Sequence, residues 1–109
     1  MSYTEVMQER EKCLGATWHD EGNGYFSMVA SAFFGAQVAY VALPTGHPDC
    51  GKQYDDLSPD VNGGLTYGED NVYGWDYGHA YNRGSPETDI PRALAYFRSR
   101  SAVVAAKVI

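Results

Sequence analysis

Tyr25-Phe26-Ser27-Met28-Val29-Ala30-Ser31-Ala32-Phe33-Phe34, followed after Gly35 by Gln37-Val38-Ala39-Tyr40-Val41-Ala42-Leu43, is the stretch that decides the fold. Both runs are rich in β-branched and aromatic residues, and a glycine separates them. Two such runs so close together read as paired strands of a hairpin. Pro44 ends the second run, because proline cannot donate to a strand ladder.

The flanks extend this picture. Upstream, Leu14-Gly15-Ala16-Thr17-Trp18-His19 reads as a strand, and Asp20-Glu21-Gly22-Asn23-Gly24 as a turn by composition. Residues 3–12 are polar and helix-compatible, with Thr4 as a cap. Downstream, Leu65-Thr66-Tyr67 and Val72-Tyr73-Gly74-Trp75 read as two short strands around the turn Gly68-Glu69-Asp70-Asn71. A helix is expected to begin near Asp89 or Ile90, with Asp89 as its cap and Pro91 in its first turn. Ile90, Leu94 and Phe97 have helical spacing, and Arg92, Arg98 and Arg100 form the solvated side. Past Ala102, the pairs Val103-Val104 and Val108-Ile109 favour a final strand over a continued helix. The expected class is α+β: an antiparallel meander of about four or five strands with a C-terminal helix packed on one face.

The chain has 109 residues, which suits one domain spanning residues 1–109. Hydrophobic residues make up 44%, enough for a core without disulfide staples and too many for a disordered chain. The two cysteines, Cys13 and Cys50, do not make a disulfide framework. The N-terminus is polar and mixed in charge, unlike a secretory signal. No apolar run approaches the roughly 20 residues of a membrane span. The expectation is a cytoplasmic protein with reduced thiols, no membrane contact and a monomeric state.

Between Thr45 and Gly64 the chain is rich in Gly, Pro, Asp, Asn and Ser, without clear periodicity. A segment that long inside a compact domain is usually functional. It holds His47, Asp49 and Cys50, and Asp76 and His79 follow at an i, i+3 spacing. These residue types can ligate zinc, yet the spacing matches no CxxC pair and no HExxH motif. A Cys50 nucleophile needs a lowered pKa, and the acidic surroundings work the other way. Paired carboxylates such as Asp55-Asp56 and Glu69-Asp70 on loops are more often solvated than catalytic. The glycines at 46, 51, 63, 64, 74 and 78 are flanked by aspartates rather than by a basic partner, which disfavours a phosphate cradle. No catalytic residue, metal or cofactor is therefore assigned. A metal-dependent or hydrolytic enzyme using His47, Asp76 and His79 is the alternative, and an accessory protein whose acidity serves only solubility is a second.

Charge distribution is the stronger signal. Net charge is −6, and residues 13–82 hold nine acids against Lys52 alone. Residues 83–109 are basic on balance. Such a field repels nucleic acid and attracts basic surfaces. Asp49, Asp55, Asp56, Asp60, Glu69, Asp70 and Asp76 lie on or beside loops, with Tyr54 and Tyr67 among them. If these share one face, their carboxylates stand in for a row of DNA phosphates and the tyrosines add rigid contact area.

Three ordered motifs carry a family resemblance: Gly46-His47-Pro48 through Gly51 to Tyr54-Asp55, then Gly63-Gly64-Leu65-Thr66-Tyr67, then Gly74-x-Asp76-x-x-His79-Ala80. Together with Ala39-Tyr40-Val41 leading to Pro44, they resemble a family of small proteins seen widely in phages and prophages, over roughly residues 36–82. Relatives in that family often have His where this chain has Asn62, and Asp where it has Asn82. The resemblance, joined to small size and acidity, looks like an anti-CRISPR protein of the type I group. It implies a non-enzymatic DNA mimic in the host bacterial cytoplasm, binding a Cas protein or the Cascade complex and blocking target DNA or PAM recognition, with no direct binding of nucleic acid.

Overall fold

The computed structural model describes residues 3–32, 35–78 and 83–108, with side chains to residue 101. Helix α1 spans Glu5–Leu14. The Thr4 hydroxyl accepts the Met7 N–H at its start, and Gly15, at φ 64°, closes it by donating its N–H to the Glu11 carbonyl. That cap is why Leu14–His19 is not the expected strand. Instead Trp18 turns inward and donates its indole N–H to the Met7 carbonyl at 2.9 Å.

Five antiparallel strands follow: β1 (His19–Gly22), β2 (Tyr25–Ser31), β3 (Gln37–Ala42), β4 (Tyr67–Glu69) and β5 (Val72–Asp76). The turn expected over Asp20–Gly24 shortens to Asn23-Gly24, both at positive φ, which suits a two-residue hairpin. The predicted central pair holds, with Phe26 opposite Ala42 and Ser31 opposite Gln37. The sheet order is β1-β2-β3-β5-β4, so the last hairpin enters turned around. The long loop carries the chain past the place beside β3, which β5 takes, and leaves β4 at the edge.

Alternation along the strands buries both faces of the sheet. On one face Tyr25, Ala39, Val41, Tyr73 and Trp75 meet helix α2 (Pro86–Val108) through Ile90, Ala93, Leu94 and Phe97. Phe97 stacks on Tyr73 with ring centroids 5.6 Å apart. Complete burial of such a ring is worth about 2–3 kcal/mol. On the other face Phe26, Met28, Val38, Tyr40 and Val72 meet Met7 and Trp18. The C-terminal helix packs on the sheet as expected, and α1 with Trp18 gives the opposite face a cover of its own.

Two expectations about α2 give way. It begins at Pro86 rather than at Asp89, because proline suits the first helical position and Ser85 accepts the Thr88 and Asp89 N–H groups. Pro91 therefore lies inside the helix. The helix also runs through Val108, where the valine pairs favoured a strand. Valine's reluctance costs only a fraction of a kcal/mol per residue once a helix is established. No helix among the described residues is long and apolar enough to cross a membrane.

Gly74 fixes the fit of the α1 face. A Cβ built there would sit 2.6 Å from Tyr40 Cε1 and 3.0 Å from the Ala39 carbonyl oxygen. The backbone contact cannot swing away. We expect Gly74→Ala to destabilise the protein by about 1–3 kcal/mol, the usual result of overpacking a filled core. Chemical denaturation checks this, and an unchanged midpoint would contradict the packing described.

Candidate protein-binding face

The long loop is a structural layer before it is anything else. Leu57, Val61 and Leu65 enter the core beneath α2. His47 and Asp49 are also buried, and their partners explain the loop's path. The His47 Nδ1 accepts the Asp49 backbone N–H at 3.0 Å, so its Nε2 must carry the proton that goes to the Phe97 carbonyl at 2.8 Å. Both ring nitrogens are thus spent on backbone groups.

Asp49 is the loop's anchor. Its carboxylate takes two hydrogen bonds from the Arg100 guanidinium, the Nη2 bond being 2.9 Å long, and the Lys52 ammonium approaches to 3.0 Å. Burial by itself pushes this acid up. The Arg100 and Lys52 contacts outweigh it and hold the carboxyl below its ordinary value. Asp49 therefore cannot meet a partner surface, contrary to the expectation from its loop position. The sequence places it beside exposed acids; Arg100, 51 residues away, draws it inward.

The other acidic and aromatic residues of the expected face divide by position. Tyr54, Asp55 and Asp56 form one 3-10 turn, and all three are exposed. The Gly51 N–H donates to the Asp70 carbonyl at 2.9 Å, tying this segment to the β4–β5 turn. Gly68 in β4 has no side chain, and a Cβ there would come 3.0 Å from Tyr54 Cβ. The turn can therefore lie over β4. Tyr54 stands on the Tyr73 side of this edge strand, and exposed Asp55 and Asp56 follow it in the turn. Glu69 follows Tyr67 by two residues and shares its α1-facing side, and Asp70 occupies the tip at φ 52°. All four acids are exposed.

Asp60 and Asp76 stand apart. Asp60 is exposed and pairs with Arg92 of α2 at 3.5 Å. Asp76 lies at the far end of β5, about 13 Å along the strand from Val72. Its carboxylate accepts the Gly78 N–H at 3.0 Å and the Thr66 hydroxyl at 3.2 Å. Tyr67 also departs from expectation. Strand alternation turns it to the α1 face, where its ring meets Tyr40 edge-on and Arg10 lies 5.1 Å above it. Its hydroxyl is buried, so it offers a partner little contact area.

The bases near this edge are already engaged. Lys52 is paired with buried Asp49, and Arg10 with Glu9 at 3.4 Å. The exposed acids of the β4 edge are left without a cation among the described residues.

The alternative set of His47, Asp76 and His79 does not assemble from the described residues. His47 lies 6.0 Å from Tyr25, at the end of the sheet where β5 begins, and Asp76 is at its opposite end. His79, with Ala80 and Asn82, lies outside the described residues. No group of three or more His, Cys, Asp or Glu side chains suited to a metal occurs among those described. The Cys50 thiol is pushed up by burial and by the Asp70 charge, as its acidic setting implied. Tyr73, whose hydroxyl donates to the carbonyls of Asp49 and Lys52, is pushed up to about 12 by burial. The local signals for these roles are weak: one histidine and one aspartate on a glycine-rich loop, and one tyrosine in a strand. No protein-family model, curated protein or solved structure matches this chain.

Proposed function

We propose that this protein acts without chemistry of its own, as an acidic module that occupies a basic DNA-binding surface. One observation carries the reading: Asp55, Asp56, Glu69 and Asp70 are all exposed, on two segments tied together at the β4 edge, and none of them has a cation among the described residues. Uncompensated carboxylates around a rigid edge attract a cationic surface and repel nucleic acid. Tyr54, 39% exposed, supplies an aromatic contact beside them.

The size of the patch narrows the target. Duplex DNA carries one charge per about 1.7 Å of axis, so four carboxylates correspond to about 7 Å, or roughly two base pairs. That matches a short recognition element better than a whole target duplex. The target proposed is a type I CRISPR–Cas surveillance complex in the bacterial cytoplasm, at the surface that reads the PAM, and the resemblance of residues 36–82 to small phage proteins supports that choice.

The test is displacement. A purified type I complex holding a labelled PAM-bearing duplex should release it on addition of this protein, and the protein alone should not bind the duplex. Formation of a stable ternary complex, with the DNA retained, would overturn competition for the DNA site.

A further inference from the structure

At the start of α2 a cavity of about 450 Å³ opens to the surface, away from the β4 edge. Asp60, Asn62, Arg83, Gly84, Asp89 and Arg92 are on its walls. Its volume falls within the range of small-molecule sites. Asp89 is the informative group, because it is an acid only 2% exposed. One carboxylate oxygen, Oδ2, accepts the Tyr77 hydroxyl at 2.6 Å and the Asn62 N–H at 3.2 Å. The Trp75 indole N–H holds the Tyr77 hydroxyl in turn at 2.9 Å. These bonds fix the plane of the carboxylate.

The second oxygen, Oδ1, has no donor among the described residues. It lies beside Gly84, where a Cβ would approach to 3.3 Å, so the missing side chain keeps its cavity side open. No lysine or arginine among the described residues pairs with Asp89. A carboxylate this buried and without a cation is costly, and an ammonium group that donates to the oxygen on the cavity side offsets that cost. The rim carries the opposite sign. Arg83 lines the cavity, and among the described residues Arg92 is held only by an exposed pair with Asp60 at 3.5 Å. Such a pair is worth little and opens readily.

A simple cation is repelled by the two arginines, and a simple anion by Asp89 and Asp60. We propose that this cavity binds a small zwitterion of the amino-acid type. Its ammonium group donates to Asp89 Oδ1, and its carboxylate lies between the guanidinium groups of Arg83 and Arg92. Asn62, Trp75 and Tyr77 act as positioning residues through Asp89. This site is separate from the acidic edge, so either proposal survives failure of the other.

The experiment is a titration of the isotope-labelled protein with a panel of free amino acids, using methylammonium and acetate as single-charge controls. At least one amino acid should move the amide resonances of Gly63, Gly84 and Thr88 saturably, with both controls binding about tenfold or more weakly. Arg83→Gln with Arg92→Gln should weaken binding about tenfold or more, as expected for loss of charge-assisted hydrogen bonds. Asp89→Asn retains an acceptor for Tyr77 and should lose binding with a dispersed spectrum; if it unfolds, the arginine variants decide. No saturable shift with any amino acid would overturn the proposal. Acetate binding as tightly as the amino acids would also overturn it, by showing an adventitious ion only.

Discussion

Arg100→Ala should lower stability by about 3 kcal/mol, because it strips a buried carboxylate of its best partner. Asp49 is 1% exposed at its side chain, and Lys52 alone would then face it from a half-exposed position. For a domain of this size such a loss moves the melting temperature by more than about 10 °C. The cost comes from the abandoned acid rather than from a large net gain in the intact pair. Adding Asp49→Asn to Arg100→Ala should therefore recover part of the loss. A double variant less stable than Arg100→Ala alone would contradict this account of the clamp. Thermal and chemical unfolding of wild type, both single variants and the double variant measure it.

The same clamp sets a pH dependence. Asp49 has a lowered folded pKa, so its contribution is complete above the unfolded carboxylate value of about 4. As pH falls from there through the lowered folded value, the unfolded chain takes up the proton first and stability is lost. Asp49→Asn should flatten this acid limb. An acid limb as steep as that of wild type would mean that other carboxylates carry it.

How far the sequence could be read depends on the range of the interactions. The β2–β3 pair and the contacts of Ile90, Leu94 and Phe97 follow from local pattern, because alternation and helical spacing are short-range signals. The end of α1 turned on Gly15 taking the left-handed conformation, and Leu14-Gly15-Ala16 is equally readable as strand. The start of α2 turned on Pro86, while Asp89, three residues downstream, carries the more familiar capping signal. Asp89 became an inward-facing acid instead of a cap.

The acidic residues show the limit most clearly. Asp49, Asp55 and Asp56 look alike on one loop, but Arg100 selects Asp49 for burial. Tyr67 looked like contact area, but the pleat turns it toward Tyr40. Lys52 looked like the only compensation for the acidic segment, yet the anchor consumes it. Only the burial of Asp49 was set by a distant partner; strand alternation turned Tyr67, and Lys52 follows Asp49 from three residues away.

The second large effect concerns that edge. Asp55→Lys with Asp56→Lys changes the local charge by four units at exposed positions that support no core contact. Folding should be nearly untouched, since such surface changes usually stay within about 0.5 kcal/mol. Affinity for a basic partner should fall about 100-fold or more, because like charges placed opposite each other cost several kcal/mol. Asp76→Asn should have little effect on that affinity, because Asp76 lies at the other end of β5.

The most direct measurement is the affinity of the protein for a purified type I surveillance complex across a salt series, for wild type and for Asp55→Lys/Asp56→Lys. Binding should be tight at low salt, weaken steeply as salt rises, and be nearly lost in the folded double variant. Binding that is insensitive to salt and unchanged in that variant, or absent for the wild type at every salt concentration, would contradict this.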